Sequence, residues 1–266
     1  MEIKFEHVSL IMDKNTPLEK TILNDVSFEI KEEGIYSFIG ASNSGKTAIG
    51  DLIQFLIEPT IGNVKVSKYV NDGGNQKNMN NLRLDIGYVF KNPYDMFIGR
   101  TISEEIEFSL NNCKRKKNII KVEDALKLVE LDESYLKLSP QILTLSDARK
   151  VALACALVSN PSILILDEFT CGIDNEDKKN LERLLRTLKN KYKKTIILLT
   201  KDTNYAYQIS DKVFIMHLTK LVESGDKTLL QNEELLKHCN LEIPKIIKFI
   251  NECNKKGHEI YLYTPP

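Results

Sequence analysis

The chain has 266 residues, of which 42% are hydrophobic, so it is long enough to bury a substantial core in one large domain or two small ones. Its 37 basic residues are balanced by 37 acidic ones, which gives no reason to expect nucleic acid or an anionic membrane as a partner. The five cysteines form no C-x-x-C pair, which argues against a disulfide framework or a zinc site and favours a reducing compartment. The N-terminus is charged where a signal peptide is apolar, and no apolar run approaches the ~20 residues of a membrane-spanning helix.

The first half of the chain predicts strands that lead into a glycine-containing loop. Residues 1–12 and 22–30 alternate apolar and polar positions, as half-buried strands do, and residues 35–40 (IYSFIG) form a short apolar run that suits a buried strand. The amphipathic run after Lys46, which ends at Pro59, predicts a helix whose N-terminus faces the loop.

The middle of the chain has a different character. Residues 101–140 are charged and helical in pattern, without a strand signal, and they predict an inserted helical subdomain. The basic run at 113–118 (CKRKKN) is typical of a solvated charged surface, and a contact for lipid headgroups or an acidic partner is the alternative.

From residue 147 onward, helices and strands alternate. The pattern predicts an apolar helix (148–158), a strand (162–167), a polar helix (175–191) and two more strands (195–200 and 212–217). Alternation of this kind favours an α/β fold with a mostly parallel sheet covered by helices. The tail from about residue 234 has its own apolar spacing and predicts a separate C-terminal piece.

The loop has the spacing G-x-x-x-x-G-K-[ST], with Gly40, Gly45, Lys46 and Thr47 at its defined positions. In such a loop, backbone N–H groups and a helix N-terminus surround the phosphates of a nucleotide. The lysine reaches the β- and γ-phosphate oxygens, and the hydroxyl binds Mg²⁺. A glycine turn with a chance lysine is the alternative, but the strand before this loop and the helix after it argue against that alternative.

A second motif is ILILDEFTCGID, at residues 163–174. An apolar strand there delivers Asp167 and Glu168 to the carboxyl end of the sheet, where ligands of α/β proteins collect. We expect Asp167 to hold Mg²⁺ through water and Glu168 to polarise the attacking water. A carboxylate pair after a strand also serves as a helix cap, and the phosphate loop earlier in the chain favours the catalytic interpretation.

Taken in order, these motifs resemble those of the ATP-binding subunits of ABC transporters. The matching segments are 40–48 (GASNSGKTA, Walker A), 88–97 (YVFKNPYDMF, the Q-loop region), 143–154 (LTLSDARKVALA, the signature helix), 163–174 (Walker B and the D-loop) and 198–202 (LLTKD, the switch loop). Within that family, NPYDMF (92–97) and NLEIPKIIKFI (240–250) resemble the ATPase subunits of energy-coupling factor importers, which take up vitamins and transition-metal ions.

The resemblance implies an α/β P-loop NTPase fold with an N-terminal antiparallel β-subdomain. It implies an ATP-binding domain over 1–230, with a helical subdomain at about 98–150, and a small C-terminal extension over 231–266 that helps two subunits to pair. It also implies ATP and Mg²⁺ as ligands, a head-to-tail dimer with a paralogous ATP-binding subunit, integral membrane transporter subunits as further partners, and a peripheral place on the cytoplasmic face of the membrane.

The resemblance also assigns roles to individual residues. Thr47 and Asp167 would serve the metal, and Glu168 would be the catalytic base. The positions implied at the nucleotide are Gly40, Ala41, Ser42, Asn43, Ser44, Gly45, Lys46, Thr47, Ala48, Lys91, Asp174 and Lys201. Asn43 replaces a glycine of the family pattern, and asparagine tolerates the left-handed backbone such a position requires.

The chain departs from the family pattern at functional positions. Lys91 stands where the Q-loop has a glutamine that ligates Mg²⁺, and Lys201 where the switch loop has a histidine that contacts the γ-phosphate. Residues 143–147 (LTLSD) replace the signature LSGGQ, so both glycines that let backbone amides approach the γ-phosphate held by the opposite subunit are missing. In that segment Asp147 adds a charge that repels an anion, while the hydroxyl of Thr144 could still be offered to one.

Two interpretations of these departures stay open. The fold could have drifted away from ATP, but the retention of Lys46, Thr47, Asp167 and Glu168 favours nucleotide binding with slow or partner-dependent hydrolysis. A non-hydrolysing structural subunit paired with an active paralogue, and a soluble ABC-type ATPase without a membrane partner, are the alternatives.

Overall fold

The computed structural model describes residues 2–72, 79–112 and 120–256, with side chains at all of these positions except 79–81 and 112. The basic run at 113–118 and the end of the predicted extension, 257–266, lie outside the described residues. Within the described ranges, the strands are Ile3–Met12 (β1), Lys20–Ile30 (β2), Ile35–Gly40 (β3), Ile61–Val66 (β4), Tyr69–Asn71 (β5), Ile86–Val89 (β6), Ile163–Asp167 (β7), Thr195–Thr200 (β8), Lys212–His217 (β9) and Lys220–Gly225 (β10).

The helices in the same ranges are Lys46–Ile53 (α1), Met79–Leu84 (α2), Ile102–Asn112 (α3), Val122–Leu128 (α4), Leu145–Leu157 (α5), Asn175–Asn190 (α6), Thr203–Ile209 (α7), Glu233–His238 (α8) and Lys245–Lys255 (α9). Short 3-10 helices lie at Pro93–Met96, Glu133–Lys137, Pro140–Ile142 and Lys227–Gln231. None of the helices described is both long enough and apolar enough to cross a membrane.

The strands form two sheets. The smaller sheet has the order β2-β1-β4-β5, and all of its neighbours are antiparallel, as predicted for the N-terminal part. The larger sheet has the order β10-β9-β3-β8-β7-β6, in which every pair is parallel except the antiparallel pair of β9 and β10. This order places the carboxyl ends of β3 and β7 on the same edge, with only β8 between them.

Helices and strands cover both faces of the six-stranded sheet, which is why β3, β7 and β8 are mostly apolar and are buried along their whole length. On one face, α1 and the antiparallel sheet share a core in which the rings of Phe38 and Phe214 stack with centroids 4.5 Å apart. On the other face, α5 and α6 share a core with α3 and α4, the helices of the predicted inserted subdomain.

The C-terminal helices pack against the main sheet. Buried side chains of α8 and α9, among them Leu236 and Ile247, belong to one apolar cluster with Ile39 of β3 and Val213 and Ile215 of β9. The predicted boundary between residues 230 and 231 falls inside the 3-10 helix Lys227–Gln231. The extension therefore shares a core with the strand that leads into the glycine loop.

The structure differs from the sequence prediction in several elements. The helix predicted to run to Pro59 ends at Ile53, because Phe55 adopts a left-handed backbone (φ 55°) that buries its ring completely. The sequence patterns predict none of the elements β4, β5, β6, β10 and α7. Most of these are short, and β10 is a mostly solvent-facing edge strand whose sequence, KLVESG, lacks an apolar run.

Candidate nucleotide-binding site

The glycine loop connects the end of β3 at Gly40 to the start of α1 at Lys46. Gly45 has φ 97°, and a Cβ there would lie 2.6 Å from Leu23 Cδ2, so only glycine fits this position. Asn43 has φ 64°, the left-handed conformation that its side chain was expected to tolerate. The loop therefore has the strand-turn-helix geometry that exposes backbone N–H groups at a helix N-terminus.

Lys46 is buried beneath this loop, with 6% of its surface exposed. Its Nζ donates hydrogen bonds to the carbonyl oxygens of Gly40 (2.8 Å) and Ala41 (2.9 Å) and lies 3.7 Å from Glu168 Oε1. Burial lowers the pKa of Lys46, and the carboxylates of Glu168 and Asp167 oppose that shift. The ammonium group thus joins the loop to the two acidic residues after β7.

Asp167 ends β7 with its side chain 3% exposed. Its Oδ2 accepts hydrogen bonds from Thr47 Oγ1 (2.8 Å) and from the hydroxyl of Tyr88 (3.4 Å). Burial raises the pKa of Asp167, while the hydrogen bond from Thr47 and the charges of Lys46 and Lys91 lower it. Thr47 and Asp167, predicted separately as metal-binding residues, are in direct contact and supply the oxygen donors that Mg²⁺ prefers.

Glu168 has a left-handed backbone (φ 45°), which for a residue other than glycine costs about 1–3 kcal/mol. Its N–H donates to the carbonyl oxygen of Leu199 at 2.8 Å, and this bond to β8 holds the turn. The side chain is 12% exposed and faces the ammonium group of Lys46. Backbone strain at this position occurs where a carboxylate is delivered to the pocket, as is frequent at functional sites.

A pocket of about 270 Å³ opens above the loop. Its lining residues are Lys20, Thr21, Ile22, Ser42, Asn43, Ser44, Gly45, Lys46, Thr47, Ala48, Lys91, Glu168 and Thr219. The hydroxyl of Ser44 is buried and has no hydrogen-bond partner within the described part of the chain. A loop of amides, a buried ammonium group and oxygen donors fits a nucleotide phosphate with Mg²⁺.

Four residues predicted at the nucleotide, Gly40, Ala41, Asp174 and Lys201, do not line this pocket. Asp174 is the N-cap of α6, and its Oδ1 accepts from the N–H of Asp177 at 2.8 Å. Lys201 is exposed in the turn after β8. Their assignment to a nucleotide stays a prediction. Tyr88, by contrast, reaches Asp167 and was missed because its contact depends on which strand lies beside β7.

Comparison with known proteins decides the family. The family model described as ABC transporter matches residues 23–171. The chain is 30% identical to the energy-coupling factor transporter ATP-binding protein EcfA3 of Oenococcus oeni, over 98% of this chain and 91% of that protein. It is 35% identical to EcfA1 of Ligilactobacillus salivarius, over 91% of this chain and 85% of that protein. The chain belongs to the ABC transporter family.

Solved structures share the fold of this ABC protein. A dimeric ATP-binding cassette, MJ0796, bound to ADP and Pi in a post-hydrolysis state, superposes with a TM-score of 0.76 at 25% identity, over 85% of this chain and 98% of that one. The structure of cbiO1 from Clostridium perfringens, part of the complex cbiONQ, gives a TM-score of 0.75 at 24% identity, over 94% of this chain and 98% of that one.

The ABC signature segment begins α5, with Thr144 as its N-cap. Thr144 Oγ1 accepts from the N–H of Asp147 (3.2 Å) and donates to Asp147 Oδ2 (3.0 Å). In the described structure this hydroxyl caps its own helix, and its offer to a phosphate stays a prediction. Asp147 takes part in the same cap.

The next residues of the ABC signature tie α5 to α6. Ser146 Oγ donates to Asp177 Oδ2, and Lys150 Nζ lies 2.6 Å from Asp177 Oδ1. Asp177 and Lys150 are both largely shielded from water, which strengthens the ion pair relative to a surface pair. The segment that replaces LSGGQ is thus held by polar contacts to the helix that follows Walker B.

Proposed function

We propose that this chain is an ATP-binding subunit that energises an importer of the energy-coupling factor type, for a vitamin or a transition-metal ion. It works at the cytoplasmic face of the membrane, by ATP binding and slow or partner-dependent hydrolysis. The observation that carries the proposal is the single connected site in which Thr47 bonds to Asp167 and Lys46 approaches Glu168. A fold that had lost its nucleotide would have no use for this arrangement.

In the proposed reaction, the loop amides and Lys46 bind the β- and γ-phosphates, and Glu168 accepts a proton from the attacking water. Bound Mg²⁺, held by Thr47 and by Asp167 through water, would neutralise charge on the phosphates. Lys91 lines the pocket, and its ammonium group adds attraction for the phosphates but cannot ligate a metal. Slow turnover follows from the missing metal ligand at position 91. It follows also from Lys201, which cannot accept the hydrogen bond that a neutral histidine would.

The proposal includes a paralogous partner. In a head-to-tail pair, each site combines the Walker motifs of one subunit with the signature of the other. The side chain of Leu145 stands where the family has a glycine, so this chain would weaken the site built on its partner's Walker motifs. Its own Walker site would receive the partner's signature, and an active paralogue is the simplest source of an intact one.

Two apolar surfaces support the proposed partners. On α9, Ile246 and Phe249 are 47% and 57% exposed, while Ile247 and Ile250 are buried on the opposite face, so α9 offers an apolar stripe for subunit pairing. A groove of about 270 Å³ runs between the Q-loop region and α3, and the ring of Phe108 at its wall is half exposed. This groove would dock the membrane subunits.

The test measures Mg²⁺-dependent ATP binding and hydrolysis by the purified chain, alone and with a co-expressed paralogue. Lys46→Ala is expected to abolish binding, and Glu168→Gln to retain binding and abolish turnover. Lys31→Ala is the matched control, because Lys31 is an exposed lysine just beyond the end of β2 that lies far from the pocket. Unchanged binding in Lys46→Ala, or a wild-type chain that binds no nucleotide, would refute the proposal.

Two alternatives give different outcomes in the same experiment. ATP binding without turnover in any mixture would make the chain a nucleotide-binding structural subunit. The cap between Thr144 and Asp147 favours this alternative, because it engages the Thr144 hydroxyl of the signature segment. Full activity without any co-purifying integral membrane protein would point to a soluble ABC-type ATPase.

A further inference from the structure

The hydroxyl of Tyr88 lies next to Asp167 of the candidate site, although nothing in the Walker motifs predicts a tyrosine there. It is 3.4 Å from Asp167 Oδ2, the same oxygen that accepts from Thr47 Oγ1 at 2.8 Å. The ring is 7% exposed, so this hydroxyl has no ready access to bulk water. The contact to Asp167 is long for a hydrogen bond between oxygens, and it is the one polar side-chain contact of this hydroxyl within the described residues.

Sheet register explains why these residues meet. Tyr88 of β6 is paired with Ile165 of β7, and Asp167 lies two residues further along β7. Because side chains alternate across a strand, Tyr88, Ile165 and Asp167 point to the same face of the sheet, the face covered by α1. Thr47 is on that helix and also contacts Asp167.

A glycine in α1 makes room for the ring. Gly50 lies one turn after Thr47 on the same face of the helix, and it is buried. A Cβ at Gly50 would come within 2.7 Å of Tyr88 Cε2 and 2.9 Å of the Tyr88 hydroxyl oxygen. Glycine is a poor helix former, so its presence in the middle of α1 is explained by the space that the tyrosine occupies.

We propose that Tyr88 is a positioning residue that orients the magnesium-facing carboxylate of Asp167, and that Gly50 provides the space for it. Both hydroxyls donate to Oδ2, so together they restrict rotation of the carboxylate and leave Oδ1 without either donor. Tyr88 acts through Asp167 and does not itself touch nucleotide or metal. This inference rests on the proposed function, because it concerns the same ATP and Mg²⁺ site.

The test measures how nucleotide binding depends on Mg²⁺, with a fluorescent ATP analogue titrated into the full chain at fixed Mg²⁺ concentrations and in EDTA. Tyr88→Phe removes one hydroxyl and keeps the ring. The Mg²⁺ concentration for half-maximal enhancement of binding is expected to rise about 3- to 10-fold, the effect of losing one hydrogen bond to a charged carboxylate at long distance. Affinity in EDTA is expected to stay within about 2-fold, because the phosphate-binding groups are untouched.

Two further variants separate positioning from stability. Tyr205→Phe is the matched control, since Tyr205 is also buried and its hydroxyl has no hydrogen-bond partner among the described side chains. It is expected to leave the Mg²⁺ dependence unchanged. Gly50→Ala places a methyl group against the ring, and is expected to raise the Mg²⁺ requirement as Tyr88→Phe does, despite the better helix propensity of alanine.

Each outcome decides the inference. A higher Mg²⁺ requirement in Tyr88→Phe and Gly50→Ala, with unchanged affinity in EDTA, supports the positioning role. A wild-type Mg²⁺ dependence in Tyr88→Phe overturns it, and so does an equal loss of affinity with and without Mg²⁺, which would show a merely structural role. If the wild-type chain binds no nucleotide under any condition, the proposed function fails and the inference fails with it.

Discussion

Lys194 gives a quantitative test of how the structure responds to pH. This residue is 4% exposed and lies immediately before β8, and its Nζ donates to Asn160 Oδ1 at 2.7 Å and to the carbonyl oxygen of Pro161. Burial lowers its pKa from 10.5 to about 8, although the charge of Asp85 opposes the shift. The folded state therefore holds this proton less tightly than the unfolded state does.

The sign of the effect follows from proton linkage. Between pH 8 and pH 10.5 the unfolded chain binds more protons at this position than the folded chain, so the free energy of unfolding rises with pH in that window. Each unit of pKa difference corresponds to about 1.4 kcal/mol, so burial of this amine destabilises the fold by about 3 kcal/mol at pH 7.5 and by about 1 kcal/mol at pH 10.

The assay is urea unfolding of the wild-type chain and of Lys194→Met at pH 7.5 and pH 10, with the unfolding free energy taken by linear extrapolation. Other titrating groups cancel in the difference between the two proteins. The wild-type chain is expected to gain about 2 kcal/mol relative to Lys194→Met between the two pH values. A difference that is independent of pH would refute the reasoning, because it would mean that Lys194 keeps an ordinary pKa in the folded state.

Two more predictions concern the glycine loop and the contacts of Asp177. Gly45→Ala forces a methyl group against Leu23 in a left-handed turn, and it is expected to cost about 1–3 kcal/mol and to abolish nucleotide binding. Calorimetry and a binding titration measure both, and an unchanged melting temperature would contradict the strain argument. Asp177→Ala removes the acceptor for Ser146 and Lys150, and a loss of about 1–3 kcal/mol is expected in urea unfolding. A smaller loss than in the exposed control Glu176→Ala would contradict the assigned contacts.

The glycine loop and the residues after β7 could be predicted from the sequence because their chemistry is local. The loop that contains Gly40, Gly45, Lys46 and Thr47 lies between a mostly apolar run and an amphipathic run, and each of these features lies within about twenty residues of the next. The left-handed backbone at Asn43 could also be anticipated, since few residue types tolerate it.

The contact between Tyr88 and Asp167 could not be predicted in the same way. It joins residues 79 positions apart, and it exists only because β6 pairs with β7 in one particular register. The early end of α1 is another tertiary effect, because burial of Phe55 outweighs a helical pattern that continues to Pro59. Sequence periodicity indicates which face of an element is apolar, but it does not specify which neighbour will cover that face.

The C-terminal helices share an apolar cluster with Ile39, the residue immediately before the first glycine of the loop. A chain shortened after residue 230 would leave Ile39, Val213 and Ile215 without the side chains that cover them in the described fold. The extension therefore cannot be removed as an independent module to obtain a minimal ATPase. Substitutions on the buried face of α8 would lower nucleotide affinity from a distance, by loosening the strand on which the phosphate loop is built.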